Sequence, residues 1–216
     1  YKNKDPWNVE KTYNERNIKI KKLILKYQKK KTLELGCGEG NLTKYFKKDK
    51  LSCNDISSIA TKRLKKKYKN IQVLNKDFLK IKFNNYDVIF AFECIYYLNN
   101  KERILLFKKI KKFLNNAKLF IFSTPIIGKN PWDLNYHYFT DKELKKIFHK
   151  YRFRLVEEQK LNYFCSKKFF YDKFLHLIFR IFFKMFNFFN LSDYYFLILN
   201  IVPERFVYQK AYVIKG

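Results

Sequence analysis

Short apolar runs alternate along the chain with lysine-rich stretches that carry apolar residues at helical spacing. This alternation is typical of βα units on a mainly parallel sheet, because buried strands are continuously apolar and the covering helices are amphipathic. The apolar runs predict strands at residues 32–35, 51–54, 71–74, 86–92, 118–123, 152–158 and 206–214. The amphipathic stretches predict helices at residues 41–48, 57–68, 101–114 and 141–150, after an N-terminal cap helix region at residues 1–30.

A capping box marks the start of the helix predicted at residues 141–150. Thr140 stands before it and Glu143 follows three residues later. Each side chain can then accept a hydrogen bond from the other residue's backbone N–H.

The length of 216 residues suits one α/β domain with a sizeable core. We expect a single domain over residues 1–216, in which residues 31–160 form the core and residues 205–216 hold the last strand. An aromatic-rich helical insertion at about residues 164–200 separates the two.

Residues 169–190 of this insertion combine many aromatic rings with regularly spaced polar residues. On a helix, Asp172, His176, Arg180 and Lys184 would form one stripe opposite a broad apolar face. The pattern predicts an interfacial helix that brings the protein to a membrane or to a lipid-linked molecule. A helix packed on the domain or on a second subunit would bury the same rings, and the recurring charges disfavour a full span.

The formal net charge of the chain is +28. Such an excess points to nucleic acid or to an anionic surface. However, arginine, the preferred side chain for bidentate phosphate and base contacts, supplies just seven of the 47 basic residues. Drift of an AT-rich coding sequence is the alternative source of the charge, and nucleic acid is not the expected partner.

The four cysteines form neither a CxxC pair nor a cluster with histidine at metal-ligand spacing. We therefore expect neither a metal site nor a disulfide framework. Since no charged segment followed by an apolar one marks a secretion signal, the expected location is the cytoplasm, with membrane contact through residues 169–190 as a second expectation.

Three of the five glycines stand at alternate positions between a predicted strand and a predicted helix: Gly36, Gly38 and Gly40. Glycine there permits a positive φ and a close approach of backbone to ligand, and the helix start offers N–H groups to an anion. A tight turn without a ligand is the alternative. A dinucleotide-binding turn would need a third glycine at position 41, which is Asn41. The spacing therefore favours a different cofactor.

Glu34 and these glycines together resemble the signature of class I S-adenosylmethionine (SAM)-dependent methyltransferases. The resemblance implies a Rossmann-like α/β fold with a mostly parallel seven-stranded sheet, helices on both faces, and SAM as the cofactor. It implies that Asp55 holds the ribose hydroxyls, that Asp77 accepts from the adenine amine and that Phe78 flanks the adenine. Taken singly, the two aspartates would also suit turns or caps. The implied cofactor residues are Glu34, Gly36, Cys37, Gly38, Gly40, Asp55, Ile56, Asp77, Phe78 and Phe92.

Two further segments resemble the nodulation-type methyltransferases that N-methylate an amino sugar, namely residues 5–13 and residues 86–98. The likeness implies that Glu93, past the fourth strand, orients an amine acceptor or takes its proton; N-capping of the next segment is the alternative. His137, in the predicted loop after the fifth strand, is the second candidate catalytic residue. The candidate walls of the acceptor pocket, each of which would also suit the core, are Trp7, Tyr13, Tyr96, Tyr97 and Trp132.

The expected function is methyl transfer from SAM to an amino or hydroxyl group of a sugar, a glycan precursor or another small metabolite. An RNA methyltransferase is the alternative, suggested by charge alone. The chain lacks the Asn/Asp-Pro-Pro-Tyr/Phe tetrapeptide that would clamp a flipped base amine, and it shows no appended RNA-binding module. A module that has kept the fold but lost its activity is a third hypothesis.

Overall fold

The computed structural model describes residues 14–29, 31–114, 117–129, 137–163 and 207–216, together with the single positions 177, 178, 181, 185 and 189. Its strands are β1 (Thr32–Leu35), β2 (Leu51–Asp55), β3 (Gln72–Asn75), β4 (Val88–Phe92), β5 (Leu119–Pro125), β6 (Ile127–Lys129), β7 (His137–Thr140), β8 (Arg154–Tyr163) and β9 (Val207–Lys215). Its α-helices are α1 (Asn14–Tyr27), α2 (Ser58–Lys67), α3 (Asn100–Phe113) and α4 (Asp141–Tyr151).

Seven of these strands form one sheet in the order β3-β2-β1-β4-β5-β9-β8. Strands β1 to β5 pair in parallel, whereas β9 runs antiparallel to both of its neighbours. The strand order reverses between β1 and β4, and ligands of open α/β sheets bind outside the carboxyl ends of the strands at such a point. This confirms the predicted Rossmann-like, mostly parallel sheet.

Helices cover both faces of the sheet, as predicted. Successive residues of β4 point to opposite faces, so Phe90 and Ile89 enter different hydrophobic clusters. Phe90 lies with Ile20 of α1 and Leu64 of α2, and Ile89 lies in the cluster that includes residues of α3 and α4. Each amphipathic helix therefore buries its apolar stripe against one side of the sheet.

Capping boxes begin two of the helices. The Thr140 side chain accepts from the Glu143 N–H at 3.1 Å, and the Glu143 carboxylate accepts from the Thr140 N–H at 2.7 Å, which confirms the predicted box. Asn99 and Glu102 form the same arrangement before α3. This second box was not predicted.

The prediction of a helix at residues 41–48 is wrong. A single 3-10 turn, Thr43–Tyr45, occupies this stretch, and Phe46 is already extended. The Lys48 ammonium donates to the carbonyl oxygens of Thr43 and Phe46, which ends the turn, and the Phe46 ring packs edge-on against Phe90 at 5.0 Å. A single 3-10 turn thus stands where a helix of about two turns was predicted.

The prediction of a loop after the fifth strand is also wrong, because a β-hairpin occupies part of this stretch. Strands β6 and β7 pair antiparallel, and His137 is the first residue of β7, paired with Lys129. Phe139 of β7 is buried in the cluster beneath α3 and α4. Phe139 is thus buried between the half-buried Tyr138 and Thr140, which is the alternating burial of a strand.

The predicted helix at residues 169–190 lies largely outside the described residues. Positions 177, 178, 181 and 185 have helical backbone. Within the part of the chain that the structure describes, each helix is too short or too polar to cross a membrane.

Candidate active site

The predicted cofactor residues meet at the carboxyl ends of β1, β2, β3 and β4. The glycine turn follows β1 directly, Asp55 ends β2, Asp77 follows β3 and Phe92 ends β4. Parallel pairing of these strands brings all four points to the same edge of the sheet. This is the edge at which open α/β sheets bind their ligands.

The three glycines of the turn have different tasks. All three have a positive φ. A Cβ on Gly36 would lie 2.5 Å from the Cβ of Cys94, and one on Gly40 would overlap the Leu64 side chain, so these two positions are glycine because the protein packs tightly against them. Gly38 is half-buried at the middle of the turn, and its N–H donates to Asp55. Gly38 is therefore the position at which a ligand can approach the backbone.

Asp55 holds the turn in place. One carboxylate oxygen accepts from the Gly38 N–H and the other from the Ser57 N–H, each at 2.8 Å. Each oxygen of a carboxylate has capacity for a second hydrogen bond. The side chain therefore stabilises the turn, which is the structural role that the sequence analysis gave as the alternative. It also keeps acceptor capacity for the predicted ribose hydroxyls.

Glu34 lies behind the turn rather than at its surface. Its buried carboxyl group accepts from the Thr43 hydroxyl at 2.6 Å and faces the Cys53 thiol at 3.4 Å. Burial raises the pKa of Glu34 to about 7. Hydrogen bonding to Cys53 and burial raise the pKa of the Cys37 thiol. Both residues thus support the turn from within, and a cofactor contact by either side chain stays a prediction.

The expected adenine side is bounded by Ile56 and the 3-10 turn Phe78–Lys80. Ile56 is 76% exposed directly after the buried Asp55, which leaves an apolar surface that a flat ring can cover. Asp77 caps the 3-10 turn by accepting from the Leu79 N–H at 2.9 Å, and Phe78 is half-buried. The Lys109 ammonium donates to the Leu79 carbonyl at 2.6 Å. These residues fit an adenosyl group.

Glu93 follows β4 and has a positive φ of 54°. The Ser123 hydroxyl donates to one oxygen of its carboxylate, and the Glu93 N–H donates to the same hydroxyl at 3.2 Å. The guanidinium of Arg16 faces the other oxygen at 4.0 Å. Burial raises the pKa of Glu93, although the charge of Arg16 and hydrogen bonds from Ser123 and Gln209 act in the opposite direction. A left-handed backbone and a buried carboxyl group are features that cluster at functional sites.

Residues 32–117 match the family model of a methyltransferase domain. Over these residues the protein belongs to the family of methyltransferase domains, which confirms the predicted SAM-dependent methyltransferase. SAM is its cofactor.

Solved structures of methyltransferases share this fold over 92–99% of the chain. The N-methyltransferase NodS from Bradyrhizobium japonicum WM9, in complex with S-adenosyl-L-homocysteine, is 16% identical with a TM-score of 0.64, over 99% of this chain and 93% of that one. The methyltransferase domain of bacterial CtHen1 is 18% identical with a TM-score of 0.59, over 94% and 98% of the two chains. Magnesium protoporphyrin IX methyltransferase from Synechocystis PCC 6803, with bound SAM, is 9% identical with a TM-score of 0.56, over 92% and 77%. No curated protein sequence matches the chain.

Beside Glu93, three tyrosines of the methyltransferase form an aromatic cluster. The rings of Tyr96 and Tyr97 lie 4.5 Å apart, and Tyr138 of β7 packs edge-on against Tyr96 at 5.0 Å. Tyr97 is half exposed. Burial and the nearby Glu93 raise the pKa of Tyr96, so its hydroxyl stays protonated. The structure thus brings two of the predicted pocket walls together with the predicted base.

Several candidate residues of the methyltransferase are not placed. Trp7, Tyr13 and Trp132 lie outside the described residues. The backbone of His137 is described and its side chain is not. The proposed acceptor roles of these four residues stay predictions. Among the described residues, no group of histidine, cysteine or acidic side chains could hold a metal ion.

Four residues around Glu93 and Tyr96 were not predicted from the sequence: Arg16, Ser123, Tyr138 and Gln209. Arg16 stands out in retrospect, because it is one of few arginines in a lysine-rich chain. Ser123 ends a predicted apolar strand, which is where ligand-facing polar residues occur in this class of sheet. Tyr138 and Gln209 are not distinguished by any such sequence signal.

Proposed function

We propose that this methyltransferase transfers the methyl group of SAM to an amino or hydroxyl group of a sugar, a glycan precursor or another small metabolite. The observation that carries the proposal is a buried carboxyl group, Glu93, beside an aromatic surface at the cofactor edge of the sheet. Sugars stack on flat rings, and a carboxylate accepts the proton that the acceptor must lose.

SAM, when bound, supplies a methyl group that is already activated on a sulfonium. The protein must align the acceptor, exclude water and take one proton. The turn around Gly38 and Asp55 would hold SAM, whose methyl carbon would bond to the acceptor's lone pair as its bond to sulfur breaks, with S-adenosyl-L-homocysteine as the leaving group. Glu93 takes the acceptor's proton, and burial suits it to this task because a raised pKa brings a carboxylate closer to a useful base at neutral pH.

Isotope transfer tests the proposal. The purified protein is incubated with SAM labelled in its methyl group and, in separate reactions, with amino sugars, short chitooligosaccharides bearing free amines, simple sugars and RNA. Mass spectrometry then locates the label. We expect label on a small acceptor, with a loss of turnover in Glu93→Gln at unchanged SAM affinity. Label confined to RNA would establish the alternative function instead.

We further propose that residues 169–190 bring the methyltransferase to an anionic membrane surface. Four large apolar side chains support this: Leu177, Ile181, Met185 and Phe189 are 54%, 50%, 50% and 62% exposed. Leu177, Ile181 and Met185 have helical backbone and recur every four residues, so they share one side of a helix. Arg180 and Lys184 of the same segment, and the strongly positive chain, complement anionic headgroups.

Vesicle flotation tests the membrane proposal with variants of equal charge change. We expect the protein to float with vesicles of phosphatidylglycerol and phosphatidylcholine, and the Ile181→Glu, Met185→Glu double variant to stay behind. Ile104→Glu, Leu105→Glu is the matched control, since these exposed residues lie on α3. Wild-type protein that stays in the soluble fraction would contradict the proposal and favour packing on the domain or on a second copy.

A further inference from the structure

Arg16 and Glu93 form an ion pair between the first turn of α1 and the loop after β4. Arg16 Nη1 lies 4.0 Å from Glu93 Oε2, and the two side chains are 8% and 17% exposed. Removing a guanidinium and a carboxylate from water costs free energy that their mutual attraction must offset. A buried pair of this kind is a weak source of stability. It therefore calls for an account in terms of what the pair does.

The two oxygens of the Glu93 carboxylate have different partners. Oε1 accepts from the Ser123 hydroxyl of β5, and Oε2 faces Arg16. Gln209 of β9 also hydrogen-bonds to the carboxyl group. The titratable neighbours on its own loop, Cys94 and Tyr96, both have a pKa raised by burial and by the Glu93 charge, so they stay neutral. Among the described residues, Arg16 is thus the cation that faces Glu93.

Helix α1 is anchored on β8 along most of its length, which determines where Arg16 lies. The buried Lys19 ammonium donates to the Lys160 carbonyl at 2.9 Å. At the other end of the helix, the ammonium of Lys26 lies 2.6 Å from the Glu157 carboxylate, which also accepts from the Tyr27 hydroxyl. These contacts direct the first turn of α1, and with it Arg16, toward the carboxyl end of β4.

We propose that Arg16 is a positioning residue of the methyl-transfer site, which aims the Glu93 carboxylate from α1 and couples docking of that helix to proton transfer from the acceptor. The inference rests on the proposed role of Glu93 as the group that takes this proton. Arg16 favours the ionised form of the carboxylate, which is held by Ser123 on one side and faces Arg16 on the other, so it can accept a proton. Without Arg16, burial favours the protonated form, which cannot accept a proton.

The test measures the titration of Glu93 directly, by carbon NMR of the full chain labelled with glutamate carrying ¹³C in its carboxyl group. The Glu93 signal is assigned by its absence in Glu93→Gln. We expect the midpoint to move to higher pH in Arg16→Met and to stay near the wild-type value in Arg16→Lys, which keeps the charge. Lys22→Met, which removes a cation from the same helix, is the control and should leave the midpoint unchanged.

Calorimetric SAM binding shows that each variant is folded. A midpoint unchanged in folded Arg16→Met would overturn the proposal. If Arg16→Met does not fold, the reciprocal variant decides. Glu93→Gln leaves the guanidinium buried without its counter-charge, so we expect faster amide hydrogen exchange in α1, and unchanged exchange there would equally overturn the coupling.

Different results would contradict the role of Arg16 and the proposed role of Glu93. Full turnover of Glu93→Gln on the true acceptor removes the proton-accepting role of Glu93, whatever the NMR titration gives. If Glu93→Gln loses turnover but the Glu93 midpoint is unchanged in Arg16→Met, Glu93 keeps its proton-accepting role. Arg16 is then not its positioning residue. Once an acceptor is identified, the pH profile of turnover in Arg16→Met should shift toward alkaline values, with Arg16→Lys restoring the wild-type profile.

Discussion

Asp55 Oδ2 accepts a hydrogen bond from the backbone N–H of Gly38 at 2.8 Å, so the carboxylate at the end of β2 fixes the middle of the glycine turn that follows β1. One side chain thus shapes the turn and faces the expected ribose. Its removal should weaken cofactor binding through both effects.

We expect Asp55→Ala to weaken SAM binding tenfold or more, since hydrogen bonds to a charged acceptor contribute about 1.5–3 kcal/mol. Isothermal titration calorimetry measures the dissociation constant. The control is Asp49→Ala, which removes an exposed acidic residue away from the turn. An unchanged dissociation constant in Asp55→Ala would leave this residue with a purely structural role.

Substitutions at the glycines should separate binding from packing. Gly38→Val should abolish SAM binding and leave a folded protein, because its side chain would stand where the cofactor approaches. Gly36→Ala should instead destabilise the fold by about 1–3 kcal/mol, since its Cβ would meet that of Cys94. Chemical denaturation and calorimetry on the same samples measure the two effects. Wild-type SAM affinity in Gly38→Val would disprove the assignment of the turn.

Glu34 should make stability fall as pH rises. Its folded pKa of about 7 lies above the ordinary value of 4.5, so the folded state binds the proton more tightly than the unfolded state. The contribution of Glu34 to the free energy of unfolding is fully present below the ordinary pKa and is lost as pH rises through about 7. This contribution is at most roughly 3 kcal/mol. Urea denaturation at pH 5 and pH 8 measures the difference.

The matched variant for this measurement is Glu34→Gln, which keeps an acceptor for the Thr43 hydroxyl and cannot ionise. We expect its stability to change less between the two pH values than that of the wild type. Equal pH dependence in both proteins would show that Glu34 does not titrate as its burial indicates.

Replacing either candidate catalytic residue by a neutral one should lower turnover more than it weakens SAM binding. For Glu93→Gln we expect a loss of about 10²–10⁴-fold, the usual contribution of a positioned acid or base, and for His137→Gln a loss in the same direction. Steady-state kinetics on the identified acceptor, compared with calorimetric SAM affinity, separates the two effects. Full turnover in both variants would mean that alignment alone drives the reaction.

The sheet and its cofactor edge were predictable because both depend on local sequence. Buried parallel strands are continuous apolar runs, and acidic residues end β2 and follow β3 in order after the glycine turn. The helix predicted at residues 41–48 failed because a lysine side chain, Lys48, ends the turn by binding its carbonyl groups. That contact is not visible in the spacing of apolar residues.

The surroundings of Glu93 depend on contacts that are remote in sequence. Arg16 reaches Glu93 because α1 packs on β8, and Ser123 reaches it because β4 and β5 pair. Tyr138 meets Tyr96 because a hairpin occupies the stretch that was predicted as a loop. Local periodicity carries no information about such pairings, so the sequence indicated Glu93 as a candidate base and missed most of the residues that contact it.

The contact between Gly36 and Cys94 limits how this enzyme can acquire new acceptors. The backbone of the cofactor turn and the Cys94 side chain touch with no room for an added methyl group, and Cys94 directly follows Glu93. A larger residue at position 94 would push the two loops apart and disturb SAM and base together. We therefore expect a change of acceptor to come from positions away from this junction, such as the exposed Tyr97.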